Sequence, residues 1–403
     1  MAKRLHILIL DGGRQALPFL RSLKQAGHHV SIACGDRFSV GYFSRYPDRR
    51  LLWPDYFHDA EGFTERMMAY LRRRRPDVTL AVGDVSAGIL ARNKAEVTRY
   101  TRVTSPDPPV FDQAADKGLT MDFCMRNGIP CPKTFLPDEE SLDDILAKLP
   151  MPVMIKPRRG IGAIGLCRVE SADELRRVYP VMRKRYGPLL VQEFIPLADG
   201  MQYQAEAFLD DRSRTRACMV ILKPRFFPVT GGTSTANLTI DRPDIRESAR
   251  RLLEGLRWRG AADVDLILDP RDNVPKVLEI NPRVTAGIKI GFAAGIDYAD
   301  LHVRLAMGEP VPDVPSYKLG VYSRNLCMDV LWWLFSRRED RKATPMPFWN
   351  FIGPEVVYQT FGPDDPMPLA GFILGMLRKY CRPSVWKTKL GRDLRDDDSR
   401  PDH

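Results

Sequence analysis

The sequence predicts a mixed protein, α/β at its N-terminus and α+β beyond it. Strand and helix patterns alternate through the first hundred residues, which is typical of a parallel sheet covered by helices. From about residue 150, strand-like segments follow one another at short spacing, which favours antiparallel β-structure with a few helices. At 403 residues the chain is long enough for two or three domains.

The N-terminal segments predict a βαβ unit. Residues 4–10 are a buried apolar run, residues 13–27 an amphipathic helix that ends at Gly27, and residues 28–34 a second strand. Residues 77–83 continue the sheet. The turn DGGRQA lacks the third glycine of a dinucleotide-binding motif, so a tight strand-to-helix turn is the simpler interpretation.

The composition predicts a cytoplasmic globular protein, with 44% hydrophobic and 28% charged residues. The seven cysteines are scattered and form no Cys-x-x-Cys pair, which argues against a disulfide framework and a thiolate zinc site. No apolar stretch approaches the roughly 20 residues of a membrane-spanning helix. The net charge of +10 fits solvated helix ends, with anionic substrates or a membrane surface as alternatives, and we expect no nucleic-acid partner.

Changes in composition divide the chain into predicted units. Prolines near residue 105 break the alternating pattern, and from about Tyr317 the chain becomes rich in apolar and basic residues. The charged tail over residues 391–403 is predicted to be disordered. The predicted units are residues 1–105, 106–187, 188–316 and 317–403.

One predicted strand carries a polar face. Glu279, Asn281 and Arg283 fall at every second place and should project from one side of the strand. Leu278 and Ile280 should fill the other side. A polar face at the end of an apolar strand indicates a binding site.

This strand should pair with the preceding one as a hairpin, because two apolar runs flank the turn-forming sequence DPRDN. A loop of about five residues places Asp265 opposite Glu279 and Asp263 opposite Asn281. Two carboxylates and an amide oxygen suit Mg²⁺, which fills its remaining positions with water and phosphate oxygens. The alternative is an exposed polar face balanced by Arg283.

A lysine ends another strand just before a glycine-rich loop. Lys156 precedes Gly160, Gly162 and Gly165, and glycines let backbone N–H groups approach a phosphate closely. No Gly-Lys-Ser/Thr follows, so the loop is not a Walker A motif. A glycine-rich hairpin without function is the alternative.

A third segment breaks at Pro196, directly after the buried strand over residues 189–195. Such a break leaves backbone groups free to bind an adenine edge while apolar side chains hold the ring. An ordinary strand end is the alternative. The residues of this predicted hinge are Gln192, Glu193, Phe194 and Ile195.

The order of these three features resembles the ATP-grasp superfamily, in particular its carbamoyl-phosphate-synthetase-like, carboxylate–amine ligase branch. The resemblance covers about residues 5–310. It implies a doubly wound pre-ATP-grasp domain, then an ATP-grasp fold of two α+β subdomains that clasp ATP, and a C-terminal extension. The glycine-rich loop would belong to the first subdomain, and the hinge and metal site to the second.

The resemblance also implies roles for individual residues, and Gln202 stands where the family usually has a glutamate for the ribose. It implies ATP and two Mg²⁺ ions, with Mn²⁺ as an alternative metal. The implied nucleotide-binding residues are Lys117, Lys156, Gly160, Gly162, Gly165, Gln192, Glu193, Phe194, Ile195, Gln202 and Glu206. The implied metal ligands are Asp265, Glu279 and Asn281, and the implied catalytic residues are Lys223, Arg225 and Arg283.

The activity implied by the resemblance is activation of a small-molecule carboxylate as an acylphosphate, which an amine then captures. A bicarbonate-activating carboxylase is the alternative enzyme, although the sequence NPRVTAG lacks the second arginine that carbamoyl-phosphate synthetases carry there. A nucleotide-binding module without turnover is the alternative outside enzymes. A homodimer is left open.

The C-terminal segment predicts an amphipathic helix that ends in cations. It packs on the ligase core or, with the segment VLWWLFSRR, lies on an anionic membrane surface. The predicted apolar face comprises Leu369, Phe372, Ile373, Met376 and Leu377, and the cations are Arg378, Lys379 and Arg382.

Overall fold

A computed structural model of the chain describes residues 3–160, 164–196, 201–229 and 232–380. Gly162, Arg382, the side chain of Lys379 and the tail predicted to be disordered lie outside the described residues.

The N-terminal sheet is parallel and covered by helices. Its strands are β1 His6–Leu10, β2 His29–Cys34, β3 Arg49–Leu52 and β4 Val78–Ala81, and its helices are α1 Ala16–Gln25, α2 Val40–Phe43, α3 Ala60–Arg74, α4 Asp84–Arg92 and α5 Lys94–Val97. The strand order is β3-β2-β1-β4. Ile7 and Ile9 pack in a core with α1, whereas Leu8 and Leu10 pack on the other face with α3. The predicted βαβ unit is confirmed.

A small antiparallel sheet follows. Its strands are β5 Thr134–Phe135, β6 Val153–Pro157, β7 Cys167–Val169 and β8 Leu189–Glu193, and its helices are α6 Pro108–Ala115, α7 Lys117–Arg126, α8 Leu142–Lys148 and α9 Ala172–Tyr186. The strand order is β5-β8-β6-β7. Ile155, Val191 and Leu175 share its core.

The third sheet has seven strands in the order β13-β12-β9-β10-β11-β14-β15. The strands are β9 Gln202–Leu209, β10 Thr215–Phe227, β11 Thr233–Ile240, β12 Gly260–Asp269, β13 Val274–Asn281, β14 Tyr322–Arg324 and β15 Val356–Tyr358. The helices are α10 Pro243–Gly255, α11 Lys289–Ala293, α12 Tyr298–Met307, α13 Leu326–Phe335, α14 Arg338–Ala343 and α15 Met367–Tyr380. The pairs are antiparallel except β14 with β15, so the C-terminal segment extends this sheet.

The last helix, α15, packs on the N-terminal sheet unit. Gly371 lies so close to Phe43 of α2 that a Cβ atom would stand 2.7 Å from the ring. Further along the helix, Nη1 of Arg378 lies 3.1 Å from Oδ2 of Asp36. The predicted helix is confirmed. Among the described residues, no helix is both long enough and apolar enough to cross a membrane.

The buried face of α15 differs from the predicted one. Ile373 and Leu377 were expected on the apolar face, but they are 41% and 56% exposed. Pro368 and Gly371 are buried instead. The close approach to α2 needs small side chains at the contact, so the large apolar side chains lie to either side of it.

The two glycines of α15 provide a matched test of this packing. Gly371→Ala should weaken the packing of α15 on α2, because its Cβ would meet the Phe43 ring and overpacking costs about 1–3 kcal/mol. Gly375→Ala should stabilise α15 by about 0.5–1 kcal/mol, because alanine favours a helix more than glycine does. Its Cβ has room, since the nearest atom, the carbonyl oxygen of Phe38, lies at 3.8 Å. Hydrogen exchange of the α15 amides measures both effects, and equal shifts in the two variants would contradict the packing.

Candidate active site

A cleft of about 610 Å³ opens where the three sheets meet. Side chains from the N-terminal sheet unit, the small sheet and the seven-stranded sheet all line it. The predicted site residues that line the cleft are Lys117, Lys156, Gly160, Gln192, Glu193, Phe194, Ile195, Gln202, Lys223, Asp265, Glu279, Asn281 and Arg283. Residues more than 160 positions apart in the chain therefore meet in one place.

The acidic hairpin has the predicted register. Asp265 pairs with Glu279, and Asp263 pairs with Asn281, across β12 and β13. All four side chains line the cleft. The hairpin therefore presents three carboxylates and one amide to the same space.

A β-bulge corrects one detail of that strand. Asp265 pairs with Glu279, but the next residue, Leu266, pairs with Val277, which leaves Leu278 as an extra residue. Leu278 therefore lines the cleft beside Glu279 instead of filling the opposite face. The prediction for Leu278 was wrong because strict alternation ends at the bulge.

The carboxylates of β12 are closely spaced and only partly compensated. Nδ2 of Asn281 donates to Oδ2 of Asp263 at 2.8 Å and to Oδ2 of Asp265 at 3.3 Å, and Lys223 pairs with Oδ1 of Asp265. Oδ1 of Asp263 is buried and has no hydrogen-bond partner among the described residues. Burial, together with the charge of Asp265, raises the pKa of Asp263 well above its usual range. A bound cation would reduce the electrostatic repulsion among these carboxylates.

The oxygen set fits Mg²⁺ that also binds phosphate. No three acidic, histidine or cysteine side chains converge as metal ligands in the part of the chain that the structure describes. Mg²⁺ typically takes one or two protein carboxylates and completes its shell with water and phosphate oxygens. Asp265 and Glu279 meet that need, and the unpartnered oxygen of Asp263 adds negative charge. The amide of Asn281 would have to rotate to offer its oxygen to the same ion, because its nitrogen faces the carboxylates and its oxygen faces Arg283.

Local sequence fixes the position of Lys117. Asp116 caps α7, because its Oδ1 accepts hydrogen bonds from the backbone N–H of Gly118 at 2.9 Å and of Leu119 at 3.2 Å. Arg158 donates to the same oxygen at 3.0 Å and ties the helix start to the end of β6. Lys117 therefore projects from a helix start that is held on two sides.

Two lysines face the acidic hairpin from the small sheet and α7. Nζ of Lys117 lies 2.9 Å from Oε2 of Glu279 and donates to the carbonyl oxygen of Gly160 at 3.2 Å. Nζ of Lys156 donates to Oε1 of Gln192 at 2.6 Å. Burial lowers the pKa of Lys156 to about 8, an effect that the Glu279 carboxylate opposes and the Lys117 charge reinforces. An anion beside Lys156 would stabilise its charged form.

The predicted hinge leaves the small sheet at the edge of the cleft. Nε2 of Gln192 donates to Oγ1 of Thr134 at 2.8 Å, and Oε1 of Glu193 lies 2.6 Å from Nη1 of Arg271. Both side chains are thus engaged by the protein, and β8 ends at Glu193. The cleft is lined nearby by apolar side chains, which are Met154, Ile195, Ile267 and Leu278.

Arg283 joins the hairpin to the N-terminal sheet. It donates to Asp84 through Nε at 2.9 Å and through Nη2 at 3.0 Å, a bidentate pair. Nη2 also donates to Oδ1 of Asn281 at 3.3 Å. Asp84 is the first residue of α4, directly after β4, so the carboxyl edge of the parallel sheet faces the cleft.

Arg225 does not reach the cleft, which corrects its predicted role. Its side chain is fully buried, pairs with Asp329 at 2.9 Å and donates to the hydroxyl of Tyr322 at 2.9 Å. In a regular strand Arg225 would share the cleft face with Lys223, but β10 is irregular on both sides of Arg225. These irregularities turn the guanidinium into the core under α13.

Glu206 and Gly165 also differ from the prediction. Glu206 is fully buried behind the cleft wall, where Gln204 and Thr285 donate to its Oε2 at 3.0 and 2.9 Å, and burial raises its pKa to about 7. Direct contact with a nucleotide is therefore excluded in this arrangement. Gly160 lines the cleft, but Gly165 does not.

Several cleft residues were missed by the sequence analysis. Arg14 and Asp84 follow the carboxyl ends of parallel strands. Open α/β sheets commonly bind ligands at these ends, so their position in the predicted sheet could have identified both residues. Asp263 was placed opposite Asn281 but was given no role, although its spacing of two from Asp265 puts both on one face. Asn237 and Gln359 carried no local signal.

Residues 114–287 match the ATP-grasp domain family. The chain is 26% identical over 246 residues to the D-aspartate ligase of Enterococcus faecium, and the aligned region covers 55% of this chain and 58% of that protein. It is 30% identical over 216 residues to the D-alanine–D-alanine ligase of Carboxydothermus hydrogenoformans, and that alignment covers 48% of this chain and 68% of that protein. The chain thus spans little more than half the length of the D-aspartate ligase.

The fold is also similar to a solved structure. N5-carboxyaminoimidazole ribonucleotide synthetase from Thermotoga maritima matches with a TM-score of 0.58 over 79% of each chain, at 19% identity. Likeness at this identity concerns the fold alone. The predicted combination of a parallel N-terminal sheet with α+β units is confirmed.

Lys156 yields a prediction for the pH dependence of MgATP binding. In the free protein its pKa of about 8 leaves it half neutral at that pH, and an adjacent phosphate would favour the charged form. Binding should therefore take up a proton near pH 8, and uptake should fade by about pH 6, where the lysine is already protonated. Calorimetry in two buffers of different ionisation enthalpy measures the uptake.

The control for this experiment is Lys184→Gln, which changes an exposed lysine on α9 and should leave the uptake intact. Lys156→Gln should remove it. Undiminished uptake in Lys156→Gln would assign the proton to another group.

Proposed function

The chain belongs to the ATP-grasp family, and from this premise we propose that it is an ADP-forming ligase that joins a carboxylate to an amine. The observation that carries the proposal is the meeting of Lys117 and Lys156 with the acidic hairpin in one cleft. Phosphoryl transfer needs cations and backbone donors around the phosphates and hard oxygen ligands for the metal. The names of the D-aspartate and D-alanine–D-alanine ligases support the same class.

In this proposal ATP lies along the cleft from the hinge to the hairpin. The adenine would rest among the apolar side chains beside Phe194 and Ile195, and Gln202 is the candidate for ribose contact. Lys117, Lys156 and the backbone at Gly160 would face the phosphates. Asp265, Glu279 and Asn281 would hold Mg²⁺, which supplies positive charge to the phosphate oxygens when bound.

We propose two metal ions, with Mn²⁺ as an alternative to Mg²⁺. Asp263 supports the higher number, because it adds a third carboxylate to the same face and one of its oxygens has no partner among the described residues.

The chemistry then proceeds in two displacements. A substrate carboxylate oxygen attacks the γ-phosphorus, an O–P bond forms, and the bond to the ADP oxygen breaks. The amine attacks the carbonyl carbon of the acylphosphate, an N–C bond forms, and the C–O bond to the phosphoryl group breaks. Phosphate leaves, and the nitrogen gives up one proton to it. Arg283, held by Asp84, and Lys223 would stabilise the charge that develops on the transferring group, so catalysis rests on positioning and electrostatics.

A screen of acids against amines tests the proposal. ADP and phosphate release with a condensed product, detected by mass spectrometry, is the expected result. Release that needs bicarbonate and yields a carboxylated product would favour the carboxylase alternative. MgATP binding without turnover on any pair would favour a nucleotide-binding module and overturn the ligase proposal.

Glu279→Gln should abolish turnover with little change in fold. The substitution keeps the shape of the side chain but removes one charge from the metal site, so kcat should fall by at least about 100-fold, equivalent to about 3 kcal/mol. The ADP-release assay measures this loss. Glu139→Gln makes the same change at an exposed site and should retain full activity. Activity of Glu279→Gln within about threefold of the wild type would remove Glu279 from the metal site.

We also propose a peripheral contact between the C-terminal region and an anionic membrane surface. Trp349 and Ile352 are 69% and 91% exposed, and Leu334 and Phe335 at the end of α13 are also exposed. The next segment carries exposed cations, which are Arg337, Arg338 and Lys342. Apolar side chains beside cations suit the boundary of an anionic bilayer.

Vesicle sedimentation tests this contact. Full-length protein should sediment with anionic vesicles at low salt, and the double change Leu334→Ala and Ile352→Ala should abolish sedimentation without lowering the unfolding temperature, because both side chains are exposed. The control pair is Ile373→Ala and Leu377→Ala, which removes two of the exposed apolar side chains of α15 and should leave sedimentation intact. Failure of the wild-type protein to sediment would end the membrane proposal.

A further inference from the structure

One corner of the cleft has no role in the chemistry proposed for the nucleotide and the metal. It is formed by Arg14, Asn237, Gly287 and Gln359, and we call it the Arg14 corner. Nη1 of Arg14 donates to Oε1 of Gln359 at 2.7 Å. A Cβ atom on Gly287 would stand 2.5 Å from Nδ2 of Asn237 and 3.8 Å from Nε2 of Gln359, so these groups adjoin one another.

The charge of Arg14 is uncompensated within the described residues. Among the other cleft cations, Lys117, Lys223 and Arg283 each pair with a carboxylate, and Lys156, which is assigned to the phosphates, donates to Gln192. Arg14 has no ion pair among the described side chains, and Gln359 is its one hydrogen-bond partner there. Burial lowers the pKa of Arg14 to about 10. A partly buried cation without an anion gains most from a ligand that brings one.

The turn that carries Arg14 is held firmly. Oδ1 of Asp11 accepts a hydrogen bond from the backbone N–H of Gly13 at 2.8 Å, and the carbonyl oxygen of Gly12 accepts one from Gly41 at 2.8 Å. Gly12 has no room for a side chain, because a Cβ atom would stand 2.5 Å from Sγ of Cys34. Arg14 is therefore presented at a defined place beside the carboxyl ends of β1 and β4.

The C-terminal segment also holds the Arg14 side chain in place. Gln359 follows β15 and is almost fully buried, with Nε2 donating to Oγ of Ser323 at 3.3 Å. The Phe372 ring of α15 lies 5.9 Å from Cζ of Arg14, within cation–π range. Two groups from beyond residue 317 thus orient an arginine from the first turn of the chain.

We propose that the Arg14 corner binds a carboxylate that one substrate keeps through the reaction. This inference rests on the proposed ligase function. A guanidinium offers a planar pair of donors that matches a carboxylate, and Nδ2 of Asn237, which donates to no described group, adds a neutral donor. One cation among neutral amides suits a single negative charge better than a phosphate.

The retained carboxylate has two sources, which the ADP-release screen separates. One is a dicarboxylic acid that is activated at its other end, and the other is an amino acid whose amine attacks. The acid arm compares succinate with succinamate, and the amine arm compares alanine with alaninamide. The wild-type protein should prefer the free carboxylate in one arm.

Arg14→Gln should raise the KM of the preferred substrate by about 10- to 100-fold and erase its advantage over the matched amide. The affinity for MgATP should stay unchanged. The control is Arg21→Gln on α1, which removes a 2.7 Å contact with Asp364 of the C-terminal segment but lies outside the cleft. An unchanged KM and an unchanged preference in Arg14→Gln would overturn the inference.

A binding experiment keeps the inference distinct from the proposed function. If no acid and amine pair releases ADP, the ligase proposal fails, and Arg14 is then tested by phenylglyoxal labelling mapped with mass spectrometry. Succinate or alanine should protect Arg14 from labelling while succinamate and alaninamide should not. Equal labelling with and without the carboxylates would overturn the inference by itself.

Discussion

The crowding of negative charge on one face of the β12–β13 hairpin is the constraint on which the site depends. Asp263, Asp265 and Glu279 stand on neighbouring strand positions, where cross-strand Cβ atoms are about 5 Å apart. Carboxylates at such spacing ionise together only if cations lie close to them. The protein supplies Lys223 from β10 and Lys117 from α7, so charge balance on the hairpin draws two other elements to the cleft.

The same ion pairs prepare the cleft for ligands under the proposed function. A divalent cation at the hairpin would take over the compensation of Asp265 and Glu279, and Lys117 and Lys223 would then be free to face phosphate or acyl oxygens. The protein would thus exchange internal ion pairs for equivalent pairs with its ligands. Because the charged groups are already desolvated and held in place, little reorganisation is left for the reaction itself.

The sequence predicted features that depend on local pattern and missed those that depend on irregularity or distance. The hairpin pairs were predicted from alternation and an assumed loop of about five residues, and the pairing of Asp265 with Glu279 and of Asp263 with Asn281 is confirmed. The bulge at Leu278 and the irregular strand at Arg225 leave no mark in the hydrophobic pattern, so both side chains were assigned to the wrong face. Arg14 and Gln359 are 345 positions apart, and no local rule joins them.

The C-terminal segment ties the N-terminal sheet to the seven-stranded sheet independently of the acidic hairpin. It adds β14 and β15 to the large sheet and then reaches the N-terminal unit, where Oδ2 of Asp365 accepts a hydrogen bond from Oγ of Ser44 at 2.6 Å. The pair of Arg283 with Asp84 joins the same two sheets at the acidic hairpin, and α1 packs with α12 in a shared apolar core between them. Since Gln359 supports Arg14 and makes no described contact with the hairpin, changes in this segment can alter one end of the cleft without disturbing the charge balance at the other.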